Sequence, residues 1–239
     1  MTDPGRYLAA MEATWPAAAT LECGPFLLRE GRGGGKRVSA ATAQGIWDTD
    51  AITAAEQAMR EIKQVPLFLI RGEGDALLDA ALSQQGYAVV DPVVLYASAV
   101  AEFAPLENPL AAFDHWPPLA IATEIWAQAG VGPARLAVME RATGPKCVIL
   151  GRSGDRVSGV AFVACHGDIA MLHALEVLPN LRRRGAARAI LQQAAAWAAR
   201  QAATTLALAV TTANAPARSL YESLGMMVVG DYHYRQHAE

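Results

Sequence analysis

The segment from 169 to 211 restricts the fold of this chain more than any other. IAMLHALEVL (169–178) is apolar and of strand length, and Pro179 stops it. The region from 187 to 201 puts Ile190, Ala194 and Trp197 on one stripe, with Leu191, Ala195 and Ala198 beside it, which is the periodicity of an amphipathic helix. TLALAVT (205–211) then reads as a second buried strand. The order strand, helix, strand commits this part of the chain to α/β architecture.

Upstream, KCVILGR (146–152) and VSGVAFVAC (157–165) flank the turn chemistry of SGD at 153–155, and Gly167-Asp168 marks the next turn, so a meander leads into the 169–178 strand. Helical segments are expected near 117–129 and 133–141. Downstream, APARSLYESL (215–224) predicts a short helix that Gly225 ends before the strand MMVVGDYHYR.

The first hundred residues follow the same grammar: a helix over AITAAEQAMREIKQ, a strand over VPLFLIR, a helix over DALLDAALSQQ closed by Gly86, and a strand over YAVVDPVVLYAS. Asp75–Ala97 and Ala215–Arg235 both run helix, glycine, then a strand with an aromatic near its end, which suggests an internal structural repeat. AEFAPLENP (101–109), with prolines, charges and no periodicity, is the expected boundary between halves.

With 239 residues, 53% hydrophobic and 18% charged, the chain can bury a sizeable core as one large or two small domains. A formal net charge of −3 offers no general attraction to nucleic acid or anionic membrane. Cys23, Cys147 and Cys165 are widely spaced and lack metal-ligand or CxxC spacing, so reduced thiols and no metal are expected. No leader pattern or long apolar span is visible, which makes the cytoplasm the default location.

Between Leu178 and the helix stand Arg182, Arg183, Arg184, Gly185, Ala186 and Ala187. A helix N-terminus has unpaired N–H groups and a partial positive charge, and small residues let an anion approach its backbone. Arginine side chains oppose the helix dipole there, a mismatch that favours an anionic ligand such as pyrophosphate; a solvated helix start is the plain alternative. Nucleic-acid binding would need a wider basic face with interleaved aromatics. GRGGGK (31–36) is no P-loop: Glu30 stands where a glycine is required and Arg37 where Ser or Thr would bind magnesium, so a flexible turn between strands is expected.

These residues resemble the GNAT superfamily of acyl-CoA-dependent N-acyltransferases. Arg182-Arg183-Arg184-Gly185-Ala186-Ala187 matches its phosphate signature, Val177 and Pro179 precede it as in the family, and VTTANAPARSLYESLGM (210–226) looks like its second motif, with Met226 where an aromatic is common. The resemblance covers roughly 110–235. It implies a mixed, mostly antiparallel sheet with a splayed central strand pair flanked by helices, residues 105–239 being the acetyltransferase domain and 1–104 a degenerate GNAT-like lobe without the phosphate signature. It also implies acetyl-CoA as cosubstrate. Backbone groups of Val177 and Leu178 would meet the pantetheine arm, N–H groups from Arg183 to Ala187 the pyrophosphate, and Asn214 the arm from the other wall.

Transfer from a thioester to an alkylamine needs the nitrogen deprotonated from a pKa near ~10, and a proton for a thiolate of pKa about 8.5. By resemblance Tyr221 is the acid, its alternative being a buried tyrosine that fills the splay. For the base, Glu176 is preferred over His173, since the two fall on opposite faces of a regular strand unless a bulge shifts the phase. An ion pair between Glu176 and an arginine, or a water relay with no dedicated base, stays open. Alternation would place Tyr232 and Tyr234 on one face and His233 on the other. The expected reaction is acetyl transfer to a primary amine of a small molecule or peptide, with a non-catalytic CoA-binding module as alternative; no nucleic-acid or membrane partner is expected.

Overall fold

The computed structural model describes residues 3–237. The first half of the chain forms α1 (Pro4–Thr14), β1 (Ala19–Cys23), β2 (Phe26–Glu30), β3 (Thr42–Ala43), α2 (Thr49–Glu61), β4 (Leu67–Ile70), α3 (Ala76–Gln84) and β5 (Tyr87–Ala99). The second forms β6 (Ala112–His115), α4 (Ala120–Gln128), α5 (Pro133–Arg141), β7 (Lys146–Ser153), β8 (Arg156–His166), β9 (Ile169–Val177), α6 (Ala186–Arg200), β10 (Thr205–Thr211), α7 (Ala215–Ser223) and β11 (Met227–His237).

Strands β4-β11-β5-β10-β9-β8-β7-β6 form one sheet in that order, and β1-β2-β3 form a smaller one. Every neighbour pair in the large sheet is antiparallel except β9 with β10, which the intervening helix α6 makes parallel. The apolar stripe of α6 settles on this sheet: Ile190, Ala194 and Ala198 are fully buried against Ile149, Ala161, Val163 and Leu206. The approach is close enough that a Cβ at Gly151 would lie 2.7 Å from Ile190 Cγ1, so the strand under the helix can carry no side chain there. On the opposite face α4 and α5 bring Trp126, Val138 and Met139 down on Val148, Val160 and Phe162.

The two halves repeat one order of elements. In the first, β1-β2-β3 lead through α2 to β4, α3 and β5; in the second, β7-β8-β9 lead through α6 to β10, α7 and β11. Even the parallel step recurs, since Ala41, beside β3, bridges Phe68 of β4 in parallel as β9 bridges β10. The segments compared in sequence, Asp75–Ala97 and Ala215–Arg235, lie over α3–β5 and α7–β11, and their strands are exchanged. β5 pairs with β10 of the other half, β11 with β4, and the two exchanged strands with each other from Met227↔Ala97 to His237↔Tyr87. The 101–109 stretch is a chain connection, but the sheet runs through both halves.

Helix α1, the meander β1–β3 and the short strand β6 extend beyond the elements expected from periodicity. Helix α1 has a local signal in its cap: Asp3 accepts from Gly5 N–H and Pro4 opens the first turn. Removing residues 1–104 takes β5 from between β10 and β11 and leaves both with open edges. The fragment 105–239 is therefore expected to be insoluble or unfolded by circular dichroism, and co-expression with 1–104 to restore a soluble complex.

Candidate active site

The parallel pair β9–β10 holds for only four residue pairs, Ile169–Leu172 with Thr205–Leu208, after which the strands part. The pairing of β9 with β8 also slips between Phe162↔His173 and Val160↔Glu176, so β9 carries one residue more than its partner. The bulge is at Ala174, whose φ of +49° is unfavourable for a residue with a Cβ. Trp126 Nε1 holds it by donating to the Ala174 carbonyl at 2.8 Å. This phase shift brings His173 and Glu176, three residues apart, to the same cavity of about 480 Å³ in the splay, together with Asn214, Tyr221, Tyr232 and Tyr234. His233 points to the other side, against Asp79 at 2.7 Å, as alternation predicts.

At the mouth of the splay the turn before α6 has two left-handed residues, Arg183 at φ +60° and Gly185 at φ +85°. Gly185 is the N-cap, no side chain caps the helix and no acid lies in its first turn. Among the described residues the N–H groups from Arg183 to Ala187 have no backbone partner, and the space where a Cβ of Gly185 would stand is open. Such a row of free amides suits the oxygens of a pyrophosphate. The corresponding helix of the first half, α2, is closed to anions by its own residues: the Asp48 carboxylate accepts from Ala51 N–H at 2.8 Å, and Asp50 adds a negative charge in the first turn.

The residues expected to meet a cosubstrate do not all present free groups. Leu178 N–H donates to Ser158 O and its carbonyl accepts from Leu181 N, both at 2.9 Å, so Leu178 has no free backbone group to meet an arm in the splay. Arg182 folds back and its Nε donates to Val177 O at 3.0 Å, whereas Arg183 and Arg184 are exposed. Ala186 is buried under the sheet side of α6 and Ala187 is half-buried. Asn214 caps α7 through Oδ1, accepting from Ala217 N–H at 3.3 Å, which leaves its amide nitrogen for the cleft.

Glu176 is half-buried and has no ion-pair or hydrogen-bond partner among the described residues. Burial raises its carboxyl above the ordinary range, and the charges of Arg182 and Arg135 only partly oppose this. Tyr221 on α7 is 5% exposed, and burial, helped by the negative charge of Glu176, pushes its phenol up to about 12. Burial thus makes Glu176 the readier of the two to take a proton, while Tyr221 keeps its own.

His173 is excluded as the base by its bonding. Arg37 Nη1, which can only donate, lies 3.1 Å from Nδ1, so Nε2 carries the proton and donates to Thr14 Oγ1 at 2.9 Å. The Thr14 hydroxyl passes its own proton to Ala10 O at 2.6 Å. Burial first, and the charge of Arg37 second, hold the imidazole well below its usual value.

That the first half could wall the acceptor cleft was an expectation from its GNAT-like pattern; sequence reasoning missed which of its residues do so. The glycine-rich turn 31–36 packs tightly here: a Cβ at Gly34 would lie 2.6 Å from Val138 Cγ2, and Gly35 has φ +100°. Lys36 and Arg37 line the cleft, and Asp91 stands with them, paired to Lys36 at 2.7 Å. Two cations following a glycine run were the available signal. A larger cavity of about 820 Å³ lies against α1, β3 and the turn after β4; Arg29 pairs with Glu12 and Arg71 with Asp75 on its wall, both at 2.8 Å, and it shares Trp15 and Arg37 with the cleft in the splay.

Among the described residues no cluster of three or more His, Cys, Asp or Glu could hold a metal, and no helix is long and apolar enough to cross a membrane. Cys23, Cys147 and Cys165 are free thiols.

A mixed sheet whose central parallel pair splays beside an uncapped helix start defines the GNAT fold. Residues 112–226 match the acetyltransferase (GNAT) family, so the part of the chain that carries the splay is homologous to it. A GCN5-related N-acetyltransferase from Kribbella flavida superposes with a TM-score of 0.72 at 18% identity, over 100% of this chain and 97% of its own. A conserved protein of unknown function from Staphylococcus epidermidis gives 0.66 at 10% identity over 92% and 93%. A tandem GNAT protein of the clavulanic acid biosynthesis pathway gives 0.59 at 13% identity over 94% and 86%. At these identities the likeness is one of fold. No curated protein matches the sequence.

The neutral His173 contributes stability with a definite sign. Its folded pKa lies below the unfolded value of about 6.5, so the contribution is present above that pH and is lost as pH falls below it. Between pH 7 and pH 5 the melting temperature of the protein should drop further than that of a His173→Gln variant, whose amide can still accept from Arg37 and donate to Thr14.

Proposed function

We propose that this protein transfers an acetyl group from acetyl-CoA to a primary amine of a small molecule or peptide, in a ternary complex. The observation that carries the reading is a pair of features set by the parting of β9 and β10: the helix α6 that joins them starts without a side-chain cap, and the cavity in the splay holds Glu176 and Tyr221. The backbone from Arg183 to Ala187 binds the pyrophosphate, Val177 and the amide nitrogen of Asn214 line the path of the arm, and Arg183 and Arg184 add charge at the rim. In this reading the first half is a GNAT-like lobe that supplies a wall of the acceptor site rather than a second cosubstrate site, because Asp48 already fills the anion position of α2.

The chemistry follows from the two titrating groups. Glu176 takes the proton that the acceptor ammonium must lose, the nitrogen attacks the thioester carbonyl and then releases a second proton to solvent, and the carbon–sulfur bond breaks once the carbon–nitrogen bond is made. Tyr221 protonates the departing sulfur and recovers its proton through solvent. An unpaired Glu176 favours this role over that of a structural ion pair.

Calorimetric titration with acetyl-CoA beside a Gly185→Glu variant tests the cradle: binding by the parent and its loss in the variant are expected, and no binding by the parent would sink the reading. Tyr221→Phe should lower kcat by roughly 10²–10⁴-fold while leaving acetyl-CoA affinity unchanged. The rate should fall as pH drops through the raised pKa of Glu176, above the ordinary carboxylate value near ~4.3, and Glu176→Gln should remove that limb of the profile.

A further inference from the structure

The cations of the cleft are not equally satisfied. Lys36, Arg37 and Arg135 all line it. Lys36 is paired with Asp91, but neither Arg37 nor Arg135 has a carboxylate partner among the described residues. Arg37 is the more deeply placed: its Nε is out of contact with solvent and has no acceptor. Its surroundings hold it still without neutralising it. Nη1 donates to His173, which Thr14 fixes in turn, and the phenol groups of Tyr232 and Tyr234 lie beside it. A guanidinium N–H left unmet away from water is costly, and a fork already oriented by neutral groups is arranged for a planar anion. In the same cavity Glu176 is a carboxylate with no cation bound to it. The cleft therefore holds an unpaired positive end and an unpaired negative end.

We infer that the acceptor is an amine that also bears a carboxylate, the carboxylate being held by Arg37 with Arg135 at the rim and the nitrogen facing Glu176; this rests on the acetyl-transfer reading above. Arg37 is anchored at His173, and Glu176 stands three residues further along β9 across the bulge, where the partner strand advances by two, roughly 7 Å of strand at ~3.3 Å per residue. The matching ligands have the two charges separated by several bonds, as in a dipeptide or an ω-amino acid, rather than on adjacent atoms. Such a ligand neutralises both ends at once, and a diamine or an amidated peptide leaves Arg37 unmet.

The test is acetylation of matched pairs with acetyl-CoA: dipeptides against their C-terminal amides, and ω-amino acids against diamines of the same length. The acids should be preferred in kcat/KM by roughly 30-fold or more, mostly through KM, as expected for a desolvated charge pair. Arg37→Met should abolish the preference while keeping acetyl-CoA affinity, and Arg37→Glu should turn it toward diamines. Equal use of amides and acids by the parent enzyme, or a preference that survives in Arg37→Met, would overturn the inference and leave acetyl transfer standing. Acetyl-CoA binding without acetylation of any acid in the panel would also overturn it. Failure to bind acetyl-CoA would instead refute the underlying reading. If Arg37→Met does not fold, the acid-against-amide comparison in the parent decides alone.

Discussion

Strands β9 and β10 stay hydrogen-bonded for four residue pairs and then diverge, and backbone groups released beyond Leu172 and Leu208 must find partners elsewhere. On the β8 side, the ladder absorbs one extra residue at Ala174, whose carbonyl is taken by the Trp126 indole. On the splay side, the carbonyl of Val177 is taken by Arg182 Nε at 3.0 Å. The cleft exists because this parting is enforced by packing: α6 clamps the apolar ends of the two strands from one face, and α4 with α5 presses on β8 and β9 from the other. A bulge at a non-glycine residue of positive φ costs of order 1–3 kcal/mol and persists only where the surroundings over-determine it, which Trp126 and the closed packing of Phe162 provide.

The electrostatics of the site follow from the same geometry. Because the bulge keeps His173 and Glu176 on one side, the cleft holds both, but their environments drive them to different states. His173 is enclosed between Thr14, Arg37 and the ring of Trp15, 5.1 Å away, and stays neutral with its tautomer fixed. Glu176 faces open cleft with no partner and keeps its capacity to take a proton. The imidazole orients the guanidinium beside it, and the carboxylate stays without a partner among the described residues.

The two halves share an order of elements and differ where function would separate them. Gly185 leaves the start of α6 bare, whereas Asp48 and Asp50 close the start of α2. An anion site is made or abolished by the charge and size of the cap, with no change in the helix behind it. Exchange of β5 and β11 then locks the halves into one sheet, and the first half shapes the cleft of the second through the turn 31–37.

Local chemistry was legible in the sequence. The stripe Ile190, Ala194, Trp197 announced α6, the strands at 146–152, 157–165 and 205–211 were plain from apolar runs and turn residues, and the glycine among arginines marked a helix start without a side-chain cap. Each of these depends on neighbours in the chain. What depended on distant contacts could not be read there. The phase of β9 is decided by Trp126, 48 residues away. The commitment of the Leu178 amide to Ser158, and the exchange that carries β5 between β10 and β11, are likewise pairings between remote segments. Lys36 and Arg37 read as a turn because a turn is what their local sequence encodes. Only the folded chain, by packing Gly34 against Val138 and seating Arg37 on His173, makes that turn a wall of the site. Local backbone preference and burial periodicity are properties of short segments, whereas the direction in which a charge points is decided by whatever the tertiary structure brings against it.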